Sequence, residues 1–115
     1  MTIEELYQTS GNDYNELLGR LFNAKLIEKL VRKYHDDQNY QQLCDGIAAK
    51  DREKVFTAAH TIKGLALNLG FGDLAHTASQ LTEATRNTYP ENADELFAAV
   101  EKEQNRIIAL IEQLD

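Results

Sequence analysis

The stretch AHTIKGLALNLG, residues 59–70, decides the expected fold because its apolar residues recur at helical spacing. An α-helix advances about 100° per residue, so alternating steps of four and three residues return to one face. The residues that follow these steps are Val55, Ala59, Ile62, Ala66 and Leu69. They lie within roughly 40° of a common direction and predict the buried face of a helix. Asp51 is expected to cap this helix, and Gly70 is expected to end it in a left-handed conformation.

His60 points away from this predicted buried face. Measured as an angle around the helix axis from Val55, His60 lies at about 140°, Lys63 at about 80° and Gly64 at about 180°. A glycine inside a helix costs about 1 kcal/mol relative to alanine, so Gly64 needs a reason, such as the close approach of another backbone or a bulky anion. A histidine with a lysine three residues later is also common on ordinary helices. From the trio alone, the structural and the functional interpretation both stay open.

Two apolar side chains bracket the histidine on the same face. Phe56 lies at about 100° and Leu67 at about 120° in the same count. Dry contact area around an exposed nucleophile is typical of a docking surface with a polar rim. Ordinary boundary packing between helices explains the two residues equally well. Both interpretations stay open from the residues alone.

Composition limits the class of protein. A chain of 115 residues is long enough for one domain with a single core. Its 12 lysine and arginine residues against 19 acidic residues give a net charge of −7, which disfavours binding to nucleic acid. Cys44 is the only cysteine, so no internal disulfide forms. The absence of a long apolar run or signal peptide predicts a soluble cytoplasmic protein that does not bind membranes.

Helix signals dominate the chain, and alternating strand patterns are absent. The expected N-caps are Thr2, Asp13, Asn23, Asn39, Asp51 and Asn92. Capping-box spacing supports three of these, through Glu5, Glu16 and Glu95. Gly46 weakens the helix expected after Asn39, and Glu103 with Gln104 interrupts the apolar stripe of the last helix. A further helix is expected to open at residues 71–73.

Short connections between amphipathic helices indicate antiparallel neighbours. We therefore expect an all-α protein, an antiparallel up-and-down four-helix bundle with additional short N-terminal helices. Residues 1–115 are expected to form a single domain. Within it, residues 1–22 form an N-terminal helical extension and residues 23–115 the bundle.

The motif Ala59-His60-x-Ile62-Lys63-Gly64, followed by Asn68-Leu69-Gly70, resembles the histidine-containing phosphotransfer (HPt) domain family of bacterial-type phosphorelays. The resemblance continues through Leu74 and the helix of residues 75–86. It extends more loosely upstream, so that roughly residues 20–115 are covered. Upstream, the residues whose spacing is typical of the family are residues 26–34, Leu43, Ile47 and Asp51.

The resemblance implies a phosphorelay intermediate of two-component signal transduction. His60 would be the phosphoacceptor, taking a phosphoryl group from a receiver-domain aspartyl phosphate and passing it to another receiver. Lys63 would steady the phosphoryl oxygens, and Gly64 would leave room for them. Implied partners are response-regulator receiver domains and a hybrid or other histidine kinase, with the chain a monomer.

Two positions depart from the family pattern. The two residues after the glycine are usually small or hydroxylated, whereas Leu65 is bulky. A glutamine-like side chain often reaches the histidine from the following helix. The matching position here is Thr82, with Gln80 nearby.

The expected chemistry suits a carrier and not an enzyme. A histidine side chain is substantially neutral at cytoplasmic pH, so a ring nitrogen can attack phosphorus without a dedicated base. A covalent phosphohistidine splits transfer between two aspartates into two steps. Neither a phosphate-binding loop nor a dinucleotide fingerprint occurs, so no ATP site is expected. No cofactor is expected in the chain, and magnesium is expected on the partner receiver domain.

Three alternatives remain from the sequence. Asp73 and His76 have the spacing of a carboxylate–histidine pair in di-iron bundles, which would predict a metalloprotein, but no second pair exists. A helical interaction module could bind signalling proteins without carrying phosphate. The chain could be a free-standing shuttle or the N-terminal phosphoacceptor domain of a chemotaxis-type histidine kinase.

Overall fold

The computed structural model describes residues 1–115 and contains helices without strands, which confirms the all-α prediction. The helices are α1 (Ile3–Ser10), α2 (Tyr14–Leu21), α3 (Ala24–His35), α4 (Asn39–Ala49), α5 (Arg52–Leu69), α6 (Gly72–Ala84) and α7 (Ala93–Ile111). No helix combines the length and the apolar character that crossing a membrane requires.

Helices α4 to α7 form a four-helix bundle, whereas the bundle predicted for residues 23–115 also included α3. Helix α5 packs between α4 and α6, while α7 packs against α6 and closes onto α4. Two-residue turns join α4 to α5 and α5 to α6, so these neighbours run antiparallel. The N-terminal helices lie against the bundle, with α1 packed on α7 and α3 packed on both α5 and α7.

The predicted stripe of α5 is buried in the core. Val55, Ala59, Ile62 and Ala66 are fully buried, and Leu69 is 5% exposed. All five therefore confirm the buried face predicted from their spacing. These residues belong to one apolar cluster that also includes side chains of α1 and α2.

The first helix fixes the C-terminal end of α5. Tyr7 of α1 is buried, and its hydroxyl donates a hydrogen bond of 2.5 Å to the carbonyl of Leu69. The Tyr7 ring also stacks on Phe71, with ring centroids 5.6 Å apart. Since Leu69 and Phe71 flank the turn between α5 and α6, α1 holds that turn against the core.

Most of the predicted helix ends are confirmed. The side chains of Thr2, Asp13, Asn23 and Asp51 accept hydrogen bonds from the backbone at the starts of α1, α2, α3 and α5. Thr2 and Glu5 form the full capping box. Gly70 ends α5 with φ of 72°, the left-handed conformation that glycine adopts without strain.

Two predicted caps are wrong. Asn39 is the first residue of α4 and not its cap. The backbone nitrogen and the side-chain nitrogen of Asn39 each donate a hydrogen bond of 2.8 Å to the carboxylate of Asp37. Asn92 makes no side-chain capping bond at the start of α7. Its φ of −92° and ψ of 22° differ from the extended backbone that side-chain caps normally use.

The polar residues that interrupt the stripe of α7 have partners. Gln104 is buried, and its side-chain oxygen accepts a hydrogen bond from the hydroxyl of Tyr34. Glu103 forms an ion pair of 2.9 Å with Arg106. Because buried polar groups with partners do not disfavour a helix, α7 continues through both positions.

Gly46 marks the closest approach of α4 to α5. A Cβ atom at this position would lie 2.9 Å from Val55 Cγ2 and 3.1 Å from the Val55 backbone nitrogen. The side chain and the backbone of Val55 on α5 therefore occupy the space that any side chain would need, which explains a glycine inside α4.

Gly46→Ala is expected to lower the free energy of unfolding by about 1–3 kcal/mol, because overpacking against a backbone outweighs the gain in helix propensity. Urea unfolding followed by circular dichroism measures the change. Gly19→Ala is the matched control, since a Cβ there meets nothing within 4 Å. A Gly46→Ala variant as stable as the wild type would contradict this explanation.

Candidate functional site

His60 stands on the outer face of α5. Its side chain is exposed, while the stripe residues Ala59 and Ile62 beside it are fully buried. The orientation predicted from the helical count is therefore confirmed. The core fixes the helix that carries the imidazole, and the ring itself is open to an incoming molecule.

Phe56 packs against the imidazole one turn earlier on α5. The two rings lie nearly parallel, with an interplanar angle of 6° and centroids 6.0 Å apart. The guanidinium carbon of Arg86 lies 5.2 Å from the centroid of the same phenyl ring. Phe56 is half-buried between α5 and the end of α6, so it supports the imidazole from one side. Its role in docking a partner stays a prediction.

Lys63 and Gly64 lie one turn beyond His60. Lys63 is half-buried and Gly64 is exposed. A Cβ atom at Gly64 would meet nothing within 4 Å, so the free chain does not need a glycine there for packing. This distinguishes Gly64 from Gly46 and leaves an open strip of helix backbone beside the imidazole.

Glu83 of α6 and Arg86, two residues beyond the end of that helix, form a charged pair that the sequence did not predict as part of the site. Arg86 Nη2 lies 2.8 Å from Glu83 Oε1. This hydrogen bond and the charge of Arg86 lower the pKa of the Glu83 carboxyl from its ordinary value, with smaller contributions from Lys63 and His60. Glu83 is thus an ionised carboxylate within electrostatic range of the histidine. Its position depends on how α5 and α6 pack, so the spacing of residues within α5 did not indicate it.

Leu67 continues the outer face of α5 two turns beyond His60. Its side chain is 55% exposed, as expected for a residue on the histidine face. Its carbonyl accepts a hydrogen bond of 3.4 Å from Arg20 Nη2, which brings the end of α2 to this part of the surface. A docking role for Leu67 also stays a prediction.

The positions that depart from the family pattern differ in their burial. Thr82 is fully buried, and its hydroxyl donates a hydrogen bond of 2.7 Å to the carbonyl of Ala78. Gln80 is exposed on α6. Leu65 is half-buried and lines a small cavity with Leu30 of α3. The bulk of Leu65 is therefore directed into packing between helices.

The surroundings of the other histidines do not form a metal centre. No three His, Cys, Asp or Glu side chains come together in a way that could hold a metal ion. Asp73 lies 3.5 Å from Arg106, and His76 is exposed. His35 Nδ1 lies 3.0 Å from the carboxylate of Asp36 at the end of α3. A di-iron site requires inward carboxylates that are not present beside His76.

The comparison with protein families agrees with the geometry of the site. A family model described as the Hpt domain matches residues 3–115. No curated protein and no solved structure matches the chain. Hpt domains are phosphocarriers of histidine phosphotransfer in phosphorelays, have no ATP site of their own, and partner in general with receiver domains and kinases. Because the match covers essentially the whole chain, this protein belongs to the Hpt domain family.

Proposed function

We propose that His60 accepts a phosphoryl group from an aspartyl phosphate on a response-regulator receiver domain and passes it to another receiver. The observation that carries the proposal is the exposed imidazole on a helix whose opposite face is buried. A fixed helix holds the nucleophile in one place, and a solvent-facing ring lets a second folded domain reach it.

The proposed reaction consists of two displacements at phosphorus. In the first, the lone pair of a neutral ring nitrogen of His60 forms the N–P bond. The acyl phosphate P–O bond breaks, and the aspartate leaves as a carboxylate. In the second, a carboxylate oxygen of another receiver attacks the same phosphorus and the N–P bond breaks, which restores the free imidazole.

Lys63 and Gly64 are proposed to serve the phosphoryl group itself. Phosphoryl transfer requires positioning and neutralisation of oxygen charge more than other chemistry. Lys63 brings a flexible cation one turn from the imidazole. The open backbone at Gly64, where an added Cβ would meet nothing within 4 Å, gives the oxygens and the receiver room to approach. Magnesium is proposed to reside on the receiver.

The pairing of Glu83 with Arg86 favours Lys63 as the one cation that acts on the phosphoryl group. The carboxylate of Glu83 is held by Arg86 at 2.8 Å, so its negative charge is largely compensated. A free carboxylate near a phosphohistidine would repel the phosphoryl oxygens. With Glu83 paired, Lys63 is left to act on the phosphoryl group.

Incubation with phosphorylated receiver domains tests the proposal. Receivers that carry labelled phosphate, prepared one at a time, are mixed with the full chain, and at least one is expected to transfer the label to it. The label should be acid-labile and stable to base, as a phosphohistidine is. It should then move to a second receiver on addition. Stable binding of receivers without any label would favour the interaction module instead.

Lys63→Ala is expected to lower the maximal transfer rate from a saturating receiver on the order of tenfold, because one charge-assisted contact to the phosphoryl oxygens is lost. Lys54→Ala is the matched control, since Lys54 is also a half-buried lysine of α5. It lines a cavity together with Asn39 and Gln42 of α4. Rapid-quench measurement at saturating receiver separates the maximal rate from binding. Equal rates for the wild type and Lys63→Ala would remove Lys63 from the mechanism.

A further inference from the structure

Phe56 connects the imidazole of His60 to the segment that follows α6. Its phenyl ring lies nearly parallel to the imidazole, with ring centroids 6.0 Å apart, which is typical of offset stacking. The guanidinium carbon of Arg86 lies 5.2 Å from the centroid of the same phenyl ring. At this distance a cation is attracted to the face of an aromatic ring. The contacts of Phe56 are therefore with groups of its own chain on both neighbouring elements.

The side chain of Arg86 is held in place although it is exposed. Its Nε and Nη2 donate hydrogen bonds of 3.3 and 2.8 Å to the two carboxylate oxygens of Glu83. A two-point contact between a guanidinium group and a carboxylate fixes the plane of the guanidinium group as well as its position. Glu83 thus keeps Arg86 against the phenyl ring.

Arg52 fixes the backbone that carries Arg86. It is half-buried in the first turn of α5, one turn before Phe56. Its Nη1 donates hydrogen bonds of 2.9 Å to the carbonyl of Thr85 and 2.8 Å to the carbonyl of Arg86. Arg52 lies about 12 Å along α5 from His60, and helical side chains lean toward the N-terminus, so it points away from the imidazole. Any effect of Arg52 on the imidazole must pass through other residues.

We propose that four residues hold the imidazole of His60 in one orientation for phosphoryl transfer, namely Arg52, Glu83, Arg86 and Phe56. We call them the arginine brace. The inference rests on the proposed function. An exposed histidine populates several staggered rotamers, whereas attack on phosphorus in a docked receiver needs the ring nitrogen at one place and angle. A phenyl ring that is fixed from α6 and stacked on the imidazole selects that orientation.

The same contacts assign Phe56 to positioning and not to docking. Phe56 is half-buried, and its ring already contacts a guanidinium group and the imidazole. Leu67, by comparison, is 55% exposed on the same face of α5. A receiver that reaches His60 therefore finds less free apolar surface on Phe56 than on Leu67.

Phe56→Leu tests the arginine brace, because leucine remains apolar but cannot stack. The probe is the receiver that phosphorylates the wild-type chain at His60. The maximal transfer rate is expected to fall about fivefold, with the half-saturating receiver concentration unchanged. Phe56→Tyr keeps the ring and should restore the rate. Urea unfolding establishes that all variants are folded under the assay conditions.

Two further measurements separate orientation from reactivity. A stacked phenyl ring shifts the proton resonances of its neighbour upfield, so NMR spectra of Phe56→Leu should lose this shift at the His60 imidazole. Phosphoramidate transfers its phosphoryl group to a histidine nitrogen with release of ammonia, and it needs no receiver. Because a small donor reaches the ring in any orientation, it should label His60 equally in the wild type and in Phe56→Leu.

Arg52→Gln tests the distant end of the arginine brace. The maximal rate is expected to fall about threefold in the wild-type background and no further in the Phe56→Leu background, since members of one network are not additive. Arg106→Gln is the matched control. Arg106 is also half-buried and donates a hydrogen bond of 2.9 Å to a backbone carbonyl of another helix, that of Ser10. Its replacement should leave transfer unchanged.

The opposite outcomes overturn the arginine brace. A higher half-saturating receiver concentration in Phe56→Leu, with an unchanged maximal rate, would assign Phe56 to docking. Slower labelling of Phe56→Leu by phosphoramidate would mean that Phe56 alters the reactivity of the imidazole and not its orientation. Equal slowing by Arg52→Gln with and without the phenyl ring would separate Arg52 from Phe56.

Failure of the proposed function would be recognised separately. If no receiver labels the wild type, the proposed function fails, and the NMR spectra still decide whether the arginine brace orients the imidazole. Imidazole resonances that are the same in the wild type, Phe56→Leu and Arg52→Gln would then overturn the arginine brace as well.

Discussion

Replacing His60 by glutamine is expected to abolish phosphoryl labelling of the chain by a phosphorylated receiver. Glutamine fills a similar volume but has no nucleophilic ring nitrogen, so no N–P bond can form. The fold should not change, because His60 is exposed and the buried stripe of α5 is untouched. Radiolabel transfer and circular dichroism on the same sample measure both quantities.

The other two histidines supply the matched controls. His35→Gln and His76→Gln replace exposed histidines of α3 and α6 with the same side chain. Both variants should be labelled at the rate of the wild type. Label that persists in His60→Gln, or disappears in either control, would assign the acceptor to another residue.

Gly64→Gln is expected to give a folded protein with little transfer activity. An exposed helical glycine costs about 1 kcal/mol relative to other residues, so the free energy of unfolding should rise by up to that amount. The transfer rate should fall on the order of a hundredfold, because the new side chain stands beside the imidazole and misplaces the incoming phosphoryl group. Urea unfolding and rapid-quench transfer measure the two effects.

Gly64→Gln is informative because it is expected to raise the free energy of unfolding while it lowers the transfer rate. Gly64→Ala should give a smaller loss of activity, since a methyl group occupies less of the open space. Destabilisation by either substitution would mean that the glycine serves the fold, as Gly46 does. Unimpaired transfer in Gly64→Gln would show that the receiver and the phosphoryl group do not use this strip of backbone.

Patterns of neighbouring residues in the sequence predicted those structural features that depend only on neighbouring residues. The buried stripe of α5 and the caps at Thr2, Asp13, Asn23 and Asp51 depend on residues within one or two turns, and they are confirmed. The caps at Asn39 and Asn92 were wrong. At Asn39 the N-cap position falls on Gln38 instead, and the Asn39 N–H donates a hydrogen bond to the carboxylate of Asp37 two residues earlier.

Long-range partners account for the features that the sequence did not reveal. Gln104 interrupts the stripe of α7 as read from sequence, yet it pairs with the hydroxyl of Tyr34, a residue 70 positions earlier. The glycine inside α4 weakened a helix prediction that proved correct, because its reason is the backbone of α5. Neither partner could be identified from the spacing of residues within one helix.

The candidate site also combines features that depend on one helix with features that depend on distant residues. His60, Lys63 and Gly64 lie on one helix, so a helical count was enough to place them on one exposed face. Glu83 lies on α6 and Arg86 lies two residues beyond it, so their place beside that face depends on how two helices pack.

Localisation of the phosphate on the wild-type chain tests the central claim most directly. After transfer from a receiver, peptide fragmentation by mass spectrometry under neutral conditions is expected to place the phosphoryl group on His60 alone. Phosphate on His35, on His76 or on a carboxylate would contradict the account.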